Sequence, residues 1–217
     1  MSTLRIKYQT IEFSQQDIHI KTLRDRQQFS DPGGMAAALG ISSSQWPLFG
    51  VVWDSSQILA HLMDTMDTTG LRILEVGCGI ALSSLLLNAR SDDITATDYH
   101  PKAGEFLLNN AALNDDQDIP FLCTGWDNQN TGLGQFDLII GSDLLYETQQ
   151  IQLLSQFINQ HAKPVCEVII VDPGRGYHAK FSKAMTALGF THTQTNAPDH
   201  DQLTQPFKGK INRYFSG

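Results

Sequence analysis

Leu71-Arg-Ile-Leu-Glu-Val-Gly-Cys-Gly-Ile-Ala81 decides how this chain is to be read. Leu71, Ile73, Leu74 and Val76 make an apolar run of strand length, and Gly77 and Gly79 let the backbone turn tightly with no Cβ in a ligand's way. Ile80 to Asn88 then reads as a helix whose first N–H groups, lacking partners within the helix, face whatever lies over the turn. A second strand, Asp93-Ile-Thr-Ala-Thr97, leads into Asp98. That acid falls about twenty residues after the first glycine, where a nucleotide-binding βαβ unit holds the ribose hydroxyls. Strand, glycine turn, helix, strand and acid in this order imply a nucleoside-containing cofactor.

The kind of cofactor follows from a missing residue. A dinucleotide fingerprint has a third glycine, so that the helix can pack closely under a pyrophosphate. Here that place holds Leu82, and Glu75 stands just before the first glycine. A carboxylate there repels phosphate and suits a ligand carrying ammonium and sulfonium charges. Glu75-Val-Gly-Cys-Gly79 followed by Asp98 resembles motif I and the second-strand acid of the class I, seven-strand S-adenosylmethionine-dependent methyltransferases. The resemblance implies an α/β, Rossmann-like sheet of seven strands with helices on both faces and the last strand antiparallel.

With 217 residues the chain can bury one substantial core without metal or disulfide staples. A formal net charge of -8 argues against a nucleic-acid partner held through its phosphates, and suits a lysine-bearing protein or a small cationic amine. Cys78, Cys123 and Cys166 are odd in number and far apart, and no CxxC or His-x-x-x-His spacing suggests a metal site. Met1 to Lys7 has no apolar signal core, and no apolar run approaches membrane-spanning length. These features predict a soluble, reducing, cytoplasmic setting and no membrane partner. They leave the oligomeric state open, a monomer included.

From Leu71 onward strands and helices alternate, which predicts a parallel sheet. Pro101 opens a helix running through Phe106 to Leu113, and Phe121–Cys123 and Phe136–Ile140 read as strands. A helix at Gln149–Ile158 and a continuous, hence central, strand at Val165–Val171 follow. A helix from His178 to Leu188 and tail strands at Phe190–Gln194 and Ile211–Phe215 complete the order. Before Leu71, Leu4–Phe13 and Ile18–Ile20 read as a strand pair, Asp31-Pro-Gly-Gly34 as a turn, and Ser55-Ser56 as caps for a helix at Gln57–Met63. Residues 1–66 are therefore expected to form an extension packed on a methyltransferase core of residues 67–217.

After the fourth core strand comes Gly141-Ser-Asp-Leu-Leu-Tyr-Glu147, placed at a carboxyl strand end where open α/β sheets bind ligands. Asp143 and Tyr146 form an Asp-x-x-Tyr motif, similar to the one in methyltransferase family 16, a group that includes many protein lysine methyltransferases. Nucleic-acid adenine methyltransferases carry paired prolines where this chain has Leu144-Leu145. The competing reading makes Asp143 a helix cap and Tyr146 packing for the first turn. Trp46-Pro-Leu-Phe-Gly-Val-Val-Trp-Asp54 resembles the family's lead-in, whose cofactor-lining tryptophan falls on Trp53, while Trp46 reads equally as core. Trp126, beyond the third core strand, matches the position that contacts adenine. Ser142 joins Trp53, Glu75, Gly77, Gly79, Asp98 and Trp126 as an expected cofactor contact. Asp172-Pro-Gly-Arg175 is similar to a segment of the enzymes that methylate the electron-transfer flavoprotein β subunit, with no clear role. His100, beside the ribose acid, reads as a solvent-facing residue at a helix entry.

The resemblance implies methyl transfer from S-adenosylmethionine to a protein lysine by in-line displacement, with Asp143 and Tyr146 as the catalytic pair. Asp143 would orient the amine and stabilise the methylated ammonium, or act as a base where solvent does not. Tyr146 would wall the channel. The alternatives are an N-methyltransferase of a small, nicotinamide-like amine and a regulatory protein that binds the cofactor without turnover.

Overall fold

Arg72–Val76 runs through the middle of a sheet, which explains its composition: Ile73, Leu74 and Val76 are fully enclosed, with side chains alternating between two covered faces. The computed structural model describes residues 4–145, 148–174, 176–198, 203 and 205–217. In chain order the elements are β1 (Ile6–Glu12), β2 (Asp17–Leu23), a short helix α1 (Met35–Ala38), a 3-10 turn (Trp46–Gly50), α2 (Asp54–Thr65), β3 (Arg72–Val76), α3 (Leu82–Ala89), β4 (Asp93–Asp98), α4 (Ala103–Leu113), β5 (Phe121–Cys123), β6 (Phe136–Ser142), α5 (Thr148–His161), β7 (Ala162–Asp172), α6 (His178–Ala187), β8 (Thr191–Asn196) and β9 (Lys210–Ser216).

Among the described residues the main sheet has seven strands in the order β5-β4-β3-β6-β7-β9-β8. Pairing is parallel from β5 to β7, and β9 runs antiparallel to both β7 and β8. This is the expected sheet, its antiparallel last strand included. The chain builds outward from β3 to β5, then returns to the far side of β3 as β6. The carboxyl ends of β3 and β6 thus flank the point where strand order reverses, the usual ligand position in such sheets.

Helices α2, α3 and α4 cover one face through residues such as Leu59, Met63, Leu85 and Phe106. Helices α5 and α6 cover the other through Leu154, Phe157, Phe181 and Met185. Each such buried side chain is worth about 1.5–3 kcal/mol. Four of them match the whole net stability of a typical domain, roughly 5–15 kcal/mol, so neither face could be left bare. Helix α3 starts at Leu82 rather than Ile80, because Ala81 (φ 58°) continues the left-handed turns of Gly77 and Gly79. Helix α2 starts three residues earlier than expected. Ser56 sits inside its first turn, its Oγ accepting from the Trp53 N–H at 3.2 Å and donating to the Trp53 carbonyl at 2.7 Å.

Strands β1 and β2 form a separate antiparallel hairpin. Ile18, Ile20 and Leu23 of β2 join the core on the α3 and α4 side. The outer edge of β2 is capped by two asparagines one turn apart, Asn110 in α4 and Asn114 just past its end. Asn110 accepts from the Lys21 N–H at 2.7 Å and donates to the Lys21 carbonyl at 3.2 Å. Asn114 does the same with His19, both at 2.8 Å. Side-chain amides thus replace the missing neighbour strand of an otherwise open edge.

Candidate active site

The glycine turn is held from both sides. Cys78 N–H donates to the Thr97 carbonyl at 2.9 Å, and Gly79 N–H donates to Asp98 Oδ2 at 2.7 Å. Both glycines have positive φ, 59° and 55°, which alone disfavours any side chain. Space does so too. A Cβ at Gly77 would stand 2.5 Å from Leu144 Cδ2 and 3.5 Å from Trp126 Cζ2, and one at Gly79 would stand 3.1 Å from the Phe49 carbonyl oxygen. The turn therefore sits among three segments distant in sequence: the 3-10 turn, the loop after β5 and the loop after β6. Cys78 itself is buried, and burial, with the charges of Asp98 and Glu75, pushes its thiol well above its usual range. It is not a nucleophile.

Asp98 ends β4 with its second oxygen accepting from the His100 N–H at 2.7 Å. Burial raises its pKa, and the N–H groups of His100 and Gly79 pull the other way. Glu75 bonds to the start of α3. It is 2% exposed and accepts from both the backbone N–H of Ser84, at 3.0 Å, and the Ser84 hydroxyl. Burial pushes it up to about 7 against the Ser84 bonds, with the charge of Asp98 adding to the rise. In this arrangement Glu75 ties β3 to the first turn of α3 and so supports the glycine turn from beneath.

Trp126 packs, partly buried, on the Leu74, Val76 and Leu144 cluster at the edge of the turn. Trp53 is the N-cap residue of α2. Its indole N–H donates to the Leu48 carbonyl at 3.0 Å, and the Arg26 guanidinium lies 4.9 Å from its ring centre. Within that lead-in it is Phe49 that abuts Gly79, and the buried Trp46 meets Phe49 edge-on, as core. Tyr99 escaped notice in the sequence, although it directly follows Asp98. Its ring lies 3.4 Å from where a Gly125 Cβ would be, and its hydroxyl donates to the Leu39 carbonyl at 2.6 Å.

His100 is a correction. Expected at the surface, it is 5% exposed and stacked on Phe49 with ring centres 4.0 Å apart. Its Nδ1 accepts from the Lys102 N–H at 3.1 Å, and burial pushes its pKa down to about 4. Aromatic neighbours from the 3-10 turn cover it, and a sequence 50 residues upstream gave no sign of that contact.

Ser142 closes β6 beside Val171, and Asp143 follows with φ 54°, a left-handed conformation in a non-glycine residue. Its N–H donates to the Val171 carbonyl at 3.0 Å, so the neighbouring strand fixes the turn. Leu144 and Leu145 are buried immediately after it, with Leu144 against Gly77. Strain of this kind is maintained where surrounding packing over-determines it, commonly at functional sites. Tyr146 lies outside the described residues. Among the described residues no cluster of His, Cys, Asp or Glu could hold a metal ion.

A reversal-point glycine cradle, a carboxylate at the end of the second core strand and a strained acid beyond the fourth define the class I methyltransferase architecture. Over residues 43–186 the chain matches the lysine methyltransferase family, and it belongs to that family. It is 29% identical over 133 residues to the electron transfer flavoprotein beta subunit lysine methyltransferase of Rattus norvegicus, covering 59% of this chain and 51% of that one. It is 30% identical over 125 residues to the protein N-lysine methyltransferase METTL21A of Danio rerio, covering 52% and 57%. The chain thus spans about half the length of the curated relatives it matches. Its fold is shared with the 16S rRNA N2 G1207 methyltransferase RsmC of T. thermophilus, solved with AdoMet and guanosine, at TM-score 0.66 and 13% identity, covering 100% of this chain and 52% of that one.

Proposed function

We propose that the chain transfers the methyl group of S-adenosylmethionine to the side-chain amine of a lysine in a protein. One observation carries this reading: the Gly77 turn, with Leu144 and Trp126 nearest to where a side chain would project, adjoins the segment that carries Asp143 at φ 54°. The residues fit the cofactor. Gly77 and Gly79 leave room for its backbone-hugging methionine part, Asp98 offers a carboxylate to the ribose, and Trp126 an aromatic edge to the adenine. Ser142 and Trp53 line the same side, and Glu75 braces the turn. The family membership and the relatives' names support a lysine acceptor.

When bound, the cofactor supplies an electrophilic methyl on a sulfonium. The chain's own residues then have to align and desolvate the amine. Alignment with the C–S bond at near-contact distance supplies much of the rate. Exclusion of water lowers the lysine pKa, so that a neutral amine with a free lone pair is present. Asp143 orients that amine and offsets the positive charge it acquires, with Tyr146 as the second residue of the expected pair. The strap of residues before β3, part of an extension formed by residues 1–66, closes the cofactor side through Phe49. No described helix is long and apolar enough to cross a membrane, and Cys78, Cys123 and Cys166 are free, in keeping with a reducing, cytoplasmic setting.

Labelled S-adenosylmethionine incubated with the protein and a cell extract tests the proposal. Acid hydrolysis of the labelled fraction should yield methylated lysine. Asp143→Asn should cut transfer at least about tenfold, roughly 1.4 kcal/mol, with much less change in S-adenosylhomocysteine affinity. Label confined to a small molecule would replace the protein acceptor by a small amine, and no transfer to any fraction would reduce the chain to a cofactor binder.

A further inference from the structure

The segment after β7 has no part in the account so far, yet it carries a buried carboxylate. Asp172 is the last residue of β7 and is fully buried. It is covered from above by the approach to β9, since a Cβ at Gly209 would stand 2.3 Å from the Asp172 carbonyl oxygen. Its Oδ2 lies 3.8 Å from Nδ1 of His178, the first residue of α6. That nitrogen is buried, whereas the His178 side chain as a whole remains 36% exposed. The ring therefore turns Nδ1 toward the carboxylate and its opposite, Nε2 side outward. A carboxylate behind one imidazole nitrogen fixes the tautomer and stabilises the charged ring, leaving the other nitrogen to exchange protons. Apo structures commonly show such contacts longer than a hydrogen bond.

The pair is also in the right place. Ser142 and Val171 are partners across β6 and β7, and the Asp143 N–H donates to the Val171 carbonyl. Asp172 is thus the residue next to the carbonyl that fixes the Asp143 turn. Titratable groups also stand on the neighbouring described elements. Tyr214 on β9 feels the Asp172 charge, but its hydroxyl is bonded to Ser182 at 2.9 Å. Lys210, opposite Asp172 on β9, extends to Asn196. Lys180 on α6 lies over the Tyr177 ring. Arg175 falls outside the described residues.

The geometry points to His178, positioned by Asp172, as the proton acceptor for the incoming lysine. This rests on the lysine reading above. The lysine ammonium gives one proton to Nε2 of neutral His178, and the imidazolium is held by Asp172 until its outward edge releases the proton to solvent. The freed nitrogen lone pair forms the N–C bond as the C–S bond breaks and its electrons return to sulfur.

The test follows label transfer into the acceptor band of a cell extract, using the full chain, from pH 6 to 10. His178→Gln should lower the initial rate at pH 7 at least about tenfold and recover most of the loss by pH 10, where lysine deprotonates unaided. In His178→Ala, added imidazole should restore transfer several-fold. Asp172→Asn should also lower the initial rate at pH 7, because the imidazolium loses its partner. S-adenosylhomocysteine affinity, measured by calorimetry, should stay within about threefold in all three, which also certifies their fold. Variants that bind but keep the parent's rate profile, or a His178→Ala deaf to imidazole, would overturn the assignment. Loss of cofactor binding in all three would make the pair a structural tie and overturn it too. A parent chain that labels no protein would instead overturn the lysine reading, and this inference with it.

Discussion

Replacing Glu75 by Gln should change how stability depends on pH, by an amount the site itself sets. The folded chain holds this carboxyl at a pKa of about 7, against 4.5 for the free side chain, because burial outweighs the two bonds from Ser84. Between those values the folded chain keeps a proton that the unfolded chain has lost. Stability from this group is therefore fully present below pH 4.5 and is lost as pH rises through about 7. Two and a half pH units at 1.36 kcal/mol each give roughly 3 kcal/mol. Gln is neutral throughout and keeps an oxygen acceptor for Ser84, while accommodating its extra N–H groups costs the same at every pH. The readout is thus the slope. Urea unfolding without cofactor at pH 4, 5, 6, 7 and 8 should show the parent losing about 3 kcal/mol relative to Glu75→Gln across the range. In melting temperature this is about 6–12 °C for a chain of this size. Asp98, whose pKa burial also raises, is present in both proteins and adds to both slopes. Two parallel stability lines, agreeing in slope within about 0.5 kcal/mol, would refute the buried, proton-holding Glu75.

His100 should give the opposite slope. Its folded pKa is depressed to about 4, so its contribution is present above pH 6.5 and lost as pH falls through 4. His100→Phe keeps the ring on Phe49 and should remove roughly 3 kcal/mol of acid sensitivity in the same unfolding assay; an unchanged acid limb would return His100 to the surface. Gly77→Val places its side chain against Leu144 in a left-handed turn, and calorimetry should show S-adenosylhomocysteine affinity falling at least about tenfold. Retained affinity would mean the cofactor does not lie on that cradle. Asn110→Ala should cost about 1–3 kcal/mol and Asn114→Ala less, because Asn110 is fully buried and Asn114 is not. Amide exchange at Lys21 and His19 should accelerate correspondingly, and equal, negligible losses would show that water serves the β2 edge as well.

Much of the core and its cofactor cradle was legible along the chain because their determinants are local. The apolar run Leu71–Val76 demands a doubly covered strand, Gly77 and Gly79 permit the turn, and Asp98 follows at the spacing one βαβ unit imposes. The antiparallel β9 followed from the resemblance, since pattern alone does not say which strands pair. What the sequence did not disclose arises between distant segments. Glu75 reads as an acid facing a cation until the packing of α3 turns it onto Ser84, and then it becomes a brace with a raised pKa. His100 reads as polar surface until Phe49 and Trp46, some 50 residues earlier, close over it. Asn110 and Asn114 look like helix-surface residues until a hairpin edge arrives with unpaired N–H and carbonyl groups. Asp172 and His178 become neighbours only when the chain leaves β7 and turns into α6. Backbone conformation answers to neighbours along the chain, so the turn and strands could be read from it. A side chain's charge, burial and partner answer to whatever tertiary packing brings within a few ångströms, and only the folded chain decided those.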